Sequence, residues 1–238
     1  MKKLKKEEIY YVANDGNTEV IESYKANLLG KYFDVFDESE QLREMKGAPM
    51  KIELQEGAVP TKRYKPYQVS IPLQGPVEKE LDRMLSKNII EKVPVGQSTE
   101  WCHAMVPLPK KGSKEPRITV DFRGLNKYIK RPVHPTVTPK EAVSRIPPGM
   151  HFFTTIDSRS GFWQIPLAEE SRPLTTFITH LGCFRFKRNA MGLVSAGDEH
   201  NRRTNEAVNG IENIQKVVED IIVYDKTFDE HKRRVEVY

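Results

Sequence analysis

Cysteine is nearly absent from this chain, with Cys102 and Cys183 the only two among 238 residues. No CxxC pair and no Cys/His spacing of the zinc-binding kind occurs, so a metal-stapled or disulfide-stapled fold is not expected. Reduced thiols and an intracellular setting, cytoplasm or nucleus, follow as the expectation. Long apolar runs are missing too. The start "MKKLKKEEIYYV" is basic but leads into no extended apolar segment, so neither a signal peptide nor a membrane span is expected. Neither sign of charge dominates: 38 Lys and Arg against 33 Asp and Glu leave a net +5. That excess suits a polyanionic partner without requiring one. No internal repeat is visible.

What is present suffices for a globular core: 38% of residues are hydrophobic and 30% charged. Residues 1–48 are polar with scattered apolar residues and read as a leader of unknown role. Residues 49–76 hold Pro60, Pro66 and Pro72 and read as an extended connector. A helix is predicted in "GPVEKELDRMLSKNIIEKV", residues 75–93, where Val77, Leu81, Met84, Leu85 and Ile89 recur at helical spacing. "CHAMVPLP" and "RITVDF" read as strands, "PKEAVSRI" as a short helix, and "HFFTTID", "FWQIPL", "LTTFITH" and "CFRFKR" as further strands. "SAGDEHNRRTNEAVNGI" reads as a helix that Ser195 can cap, "QKVVEDIIVYD" as a hairpin, and "TFDEHKRRVEVY" as a helix start. Strands at hairpin spacing between helices predict an α+β fold whose antiparallel sheet is covered on one face and free to meet a ligand on the other.

The acids carry the chemistry. Asp157 closes an apolar strand, and Glu219 and Asp220 interrupt an apolar hairpin. Each taken alone also suits an ordinary turn. Brought together at the roughly 5 Å spacing of adjacent strands, three carboxylates would repel one another and resist ionisation unless a divalent cation neutralised them. Oxygen donors without His or Cys nearby point to Mg²⁺ or Mn²⁺. Two such ions about 4 Å apart would activate an attacking hydroxyl and stabilise a leaving pyrophosphate.

The blocks "LSKNIIEKV", "MVPLPKKGSKEPRITVDFRGLNKYIKRP", "FFTTIDSRSGFWQIPL", "AMGLVSAGD" and "KVVEDIIVYDKTFDEH" stand in a telling order and spacing. From about Met50 onward the chain resembles the fingers and palm of reverse transcriptases from gypsy-type LTR retrotransposon Pol polyproteins. The resemblance implies a right-hand polymerase fold, with an antiparallel palm sheet backed by helices, a fingers subdomain and the thumb missing, over a truncated domain 77–238. It implies an RNA-directed DNA polymerase that joins a dNTP to a primer 3′-hydroxyl with two Mg²⁺ or Mn²⁺ ions. Its partners would be an RNA or DNA template with primer, and the thumb and RNase H segments downstream in a parent polyprotein.

By the same resemblance, Asp157, Glu219 and Asp220 match the metal ligands, the last two lying in the family's aromatic-x-Asp-Asp hairpin. Lys110 and Arg117 match the fingers residues that hold the triphosphate, which suits cations on a strand connection. Phe162 matches the steric gate beneath the sugar, and Met191 and Gly192 the segment near nucleotide and template. Taken alone, Lys110 and Arg117 would read as a solvated basic turn, and Phe162 and Met191 as core.

The chain also departs from that pattern. Val217 stands where the aromatic residue is usual, and Glu219 where Asp is usual. The extra methylene moves a carboxylate by roughly 1 Å, a misplacement that costs on the order of 10²-fold in rate. Ala190 and Gly197 replace usual prolines, and Asp198 to Arg203 make a helix start that is normally more apolar. His200 reads as a core histidine. The alternative to a working polymerase is a catalytically inactive, nucleic-acid-binding relic.

Overall fold

β-branched and aromatic residues dominate "FFTTID" and "DIIVYD", a composition that favours strands. The computed structural model describes residues 9–11, 18–36, 42–109, 115–131 and 137–237. In chain order the first elements are β1 (Ile9–Tyr11), α1 (Thr18–Lys31), α2 (Phe33–Phe36), α3 (Ile71–Ser86), β2 (Ile90–Lys92), β3 (His103–Pro109), β4 (Pro116–Val120) and α4 (Arg123–Asn126). There follow α5 (Pro139–Ser144), β5 (Phe152–Asp157), β6 (Phe177–Thr179), β7 (Gly182–Phe186), α6 (Ala196–Val208), β8 (Ile214–Val217), β9 (Asp220–Asp225) and α7 (Phe228–Val237). They divide into two compact units, one from Met1–Ser39, Pro135–Arg159 and Asn201–Tyr238, the other from Glu40–His134 and Ser160–His200.

The first unit is built on an antiparallel sheet of order β1-β5-β9-β8. Ile156, Ile214, Ile221 and Val223 project from one face against Tyr24 and Leu28 of α1, Val208 of α6 and Val235 of α7. Burying an aliphatic side chain of this size contributes about 1.5–3 kcal/mol, so this face fixes the register of the whole sheet. At one end of β9, the carboxylate of Asp225 is 1% exposed and accepts hydrogen bonds from His231 Nδ1 at 2.9 Å, Arg234 Nε at 2.8 Å and Asn213 Nδ2 at 3.2 Å. His231 Nε2 meets the Thr154 hydroxyl at 2.7 Å, so the network ties α7 to β5 and β9. Burial holds the His231 pKa below the usual histidine range. The neutral ring, donating through Nδ1 and accepting at Nε2, satisfies both partners.

The stretch expected as a polar leader contributes to this unit. β1 pairs with β5, and Ile21 and Leu28 of α1 are buried. Ile21, Tyr24 and Leu28 fall on one helical face, but the lysines and glutamates between them dilute that signal in the sequence.

The second unit carries a sheet of order β2-β7-β6-β3-β4, antiparallel except where β3 runs parallel to β6. Val77, Leu81 and Met84 of α3 join Ile118, Val120, Phe122, Phe177, Phe184 and Phe186 in its core. α3 begins at Ile71 and not at Gly75, because Pro72 lies at the first helical positions, where its missing N–H costs nothing, and it ends at Ser86, so that Ile90–Lys92, expected as helix, form β2. The stretch "FWQIPL", expected as a strand, instead opens in a 3₁₀ turn, Gly161–Gln164, after Ser160 in the left-handed region at φ 54°. Likewise "LTTFITH" spends its first residues in a 3₁₀ segment, Glu169–Thr175, before β6.

Candidate active site

The two acid-bearing strands are neighbours. β5 pairs with β9 along their full lengths, and Asp157 is the register partner of Asp220. Partners across an antiparallel pair stand about 4.5–5.5 Å apart with side chains on the same face. The row Asp157, Asp220 and Val217 lies on the face opposite Ile156, Ile221 and Val223, which point into the core, and both aspartates are exposed. Like charges directly opposite each other destabilise a sheet by a few tenths to about 1 kcal/mol. Folding alone does not call for them here.

The hairpin differs from the simple picture of two acids at its tip. Val217 pairs with Asp220, so the two-residue loop is Val218 and Glu219, and Asp220 already belongs to β9. Such loops favour Asn or Gly at their first position, where φ is positive. Val218 sits there at φ 53°, a strain of about 1–3 kcal/mol for a side chain that is not glycine. Glu219 is half-buried in this turn. Among the described residues no three His, Cys, Asp or Glu side chains stand close enough to hold one metal ion. The structure thus brings Asp157 and Asp220 together and leaves Glu219 in the adjoining turn. An exposed aspartate pair fits a hard divalent cation in donor chemistry.

The remaining residues singled out by sequence belong to the second unit. Arg117 is exposed on β4, opposite Leu108 of β3, while Lys110 lies outside the described residues. Phe162 is half-buried against the core, its ring 5.3 Å from that of the fully buried His200. Met191 is half-buried and Gly192 exposed. Gly192 adopts φ 98°, a conformation that L side chains rarely take. Asn126 clasps this turn: its Nδ2 donates to the Gly192 carbonyl at 2.8 Å, and its Oδ1 accepts from the Val194 N–H at 3.0 Å.

The polar start of α6 is accommodated by pairing. Arg131 Nε donates to the buried Asp198 carboxylate at 2.6 Å, and the guanidinium reaches its second oxygen at 3.2 Å. Ser195 accepts from the Glu199 N–H through its carbonyl, while its buried hydroxyl makes no hydrogen bond, so the side chain does not cap the helix.

Sequence reasoning missed a basic pocket in the second unit. A cavity of about 560 Å³ is lined by Lys62, Arg63, Arg123 and Lys127 with one acid, Asp121. Arg123 donates to both Asp121 oxygens, at 2.8 and 2.7 Å, and holds that carboxyl down at about 2. Tyr64 and Tyr67 stand exposed alongside, the Arg63 guanidinium lying 4.4 Å from the Tyr67 ring centre. The interleaved "TKRYKPY" was the available signal.

Solved structures share this architecture. A foamy viral protease-reverse transcriptase in complex with an RNA/DNA hybrid matches 95% of the chain at TM-score 0.78 and 20% identity, over 29% of its own length. The same protein in complex with dsDNA matches 95% at TM-score 0.79 and 22% identity, over 46% of its own length. The fold is therefore the α+β palm-and-fingers class of polymerases, with mostly antiparallel sheets backed by helices. The model of the reverse transcriptase (RNA-dependent DNA polymerase) family matches residues 108–237, more than half of the chain, and the chain belongs to that family. Among curated relatives, the Pol polyprotein of the Drosophila melanogaster transposon opus is 28% identical over 91% of the chain and 21% of its own length. An uncharacterized protein of Caenorhabditis elegans, K02A2.6, is 30% identical over 75% of the chain and 14% of its own length. The chain thus spans about a fifth or less of these relatives. Among the described residues no helix is long and apolar enough to cross a membrane.

Proposed function

We propose that the chain carries the nucleotidyl-transfer site of an RNA-directed DNA polymerase, in which a primer 3′-hydroxyl attacks the α-phosphate of a dNTP and pyrophosphate leaves. The observation that carries this reading is the register pairing of Asp157 with Asp220, both exposed, on the sheet face opposite the helical core. Asp157 and Asp220 would hold Mg²⁺ or Mn²⁺, with Glu219 of the adjoining turn as the third acid of this reading; two such ions when bound supply charge neutralisation and activation of the hydroxyl. Arg117 and Lys110 bind the triphosphate, Phe162 excludes a ribose 2′-hydroxyl, and Met191 and Gly192 border nucleotide and template. The basic pocket with its exposed tyrosines suits the phosphates and bases of a template strand. The nucleic acids named for the foamy viral complexes support this partner class.

The test is Mg²⁺- or Mn²⁺-dependent primer extension on an RNA template. Asp157→Asn, which keeps the shape of the side chain and removes its charge, should abolish extension. Extension that survives this change would remove Asp157 from the chemistry. A second reading, a nucleic-acid-binding relic, is favoured by Glu219 lying in the loop beside a strained Val218. Glu219→Asp separates the two: a mistuned polymerase gains on the order of 10-fold or more in extension rate, and a relic stays inert while still binding primer-template.

A further inference from the structure

One lysine in the first unit has a cost with no evident structural return. Lys216 lies on β8, where its register partner is Ile221, so its row of the sheet is the one next to Asp157 and Asp220 and faces the helices. The side chain is half-buried, and burial alone pushes its ammonium down to about 8. Its Nζ donates to Asn201 Oδ1 of α6 at 2.8 Å, a neutral acceptor that returns little of the lost hydration. An apolar residue at this position would bury more cheaply.

What the lysine touches explains its place. Among the described residues β8 is an edge strand, paired with β9, and it leads within two residues to the strained Val218. A β-branched residue at positive φ persists only when its surroundings hold it there. The bond from Lys216 to Asn201 anchors that arm of the hairpin to a helix.

We infer that Lys216 is a positioning residue: its bond to Asn201 fastens the edge strand to α6 and thereby holds the Val218 turn and Asp220 in register with Asp157. The consequence for catalysis rests on the polymerase reading above. The consequence for the hairpin does not.

Amide hydrogen exchange across Val217–Ile221 tests the anchor directly, with Lys216→Met, Lys216→Gln and Asn201→Ala in the full chain. Lys216→Met should melt no earlier than wild type, since an uncompensated buried charge is gone, yet its hairpin amides should exchange about tenfold faster or more. Asn201→Ala should give the same fast exchange with a lowered Tm, because the ammonium loses its acceptor. Lys216→Gln, a neutral donor able to reach Asn201, should stay within about threefold of wild-type exchange. In primer extension, Lys216→Met should lower kcat and leave KM for the nucleotide unchanged. Hairpin exchange in Lys216→Met equal to wild type, or equal in the Met and Gln variants, overturns the inference. A wild-type chain without extension activity would instead refute the polymerase reading and leave the exchange result to stand by itself.

Discussion

Removing the Asp225 carboxylate should unfasten the palm unit. Three donors converge on this side chain, from His231, Arg234 and Asn213, and its oxygens are almost wholly out of water. In Asp225→Ala all three are stranded, and Arg234 loses its counter-charge. Breaking a buried charged pair in this way costs about 3–5 kcal/mol, and the partial exposure of Arg234 places the expected loss toward the lower figure. Asp225→Asn should cost less, about 1–3 kcal/mol. The amide oxygen can still accept from Arg234, and its NH₂ can face His231 if the ring moves its proton to Nε2 and donates to the Thr154 hydroxyl. That exchange of tautomers would appear in the ring ¹⁵N shifts of His231. The assay is urea unfolding followed by exchange of the β5 and β9 amides. Tryptophan fluorescence would be blind to this event, since Trp101 and Trp163 both belong to the second unit. An Asp225→Ala variant within about 1 kcal/mol of wild type would refute the claim that the network carries net stability.

The same network predicts an acid limit. Burial lowers the folded-state pKa of His231, so the unfolded chain takes up the proton first. This contribution to stability is present above the unfolded value of about 6.5 and is lost as pH falls from there through the lower folded-state value; urea midpoints measured from pH 8 to 5 should show it, and His231→Phe should flatten it. In the second unit, Gly192→Ala forces a Cβ into φ 98° with only ordinary contacts, 3.5 Å from the Val120 carbonyl. A destabilisation of about 1 kcal/mol or more is expected, seen as a lower unfolding midpoint by tryptophan fluorescence.

Local pattern made much of this legible. β5, β9, α5 and α7 lie where runs of β-formers, capping residues and helical spacing put them, and Thr138 and Glu141 form the reciprocal cap of α5 that their spacing allows. The pairing of Asp157 with Asp220 was open to conjecture only. It joins strands far apart in the chain, and a slip of one residue would turn one of the acids into the core. "FWQIPL" misleads because its aromatic and aliphatic residues have strand propensity, while the left-handed Ser160 before them forces a turn. The α1 segment misleads in the opposite way, since three apolar residues on one face suffice when a sheet waits to cover them.

The hairpin end of the sheet collects what ordinary folding would remove: an aspartate pair across β5 and β9, a valine in a glycine-like conformation, and a lysine drawn out of water. At the other end of the same two strands stands a fully paired polar cluster around Asp225. From Asp220 to Asp225 the strand rises about 17 Å, too far for either end to screen the other's charges well. The coupling is mechanical. β9 is a central strand, and pinning its far end to α7 and β5 fixes the register that makes Asp220 face Asp157. A sheet so clamped tolerates strain at its open end, where relaxed chemistry at Val218 and Lys216 would favour stability over the placement of two carboxylates.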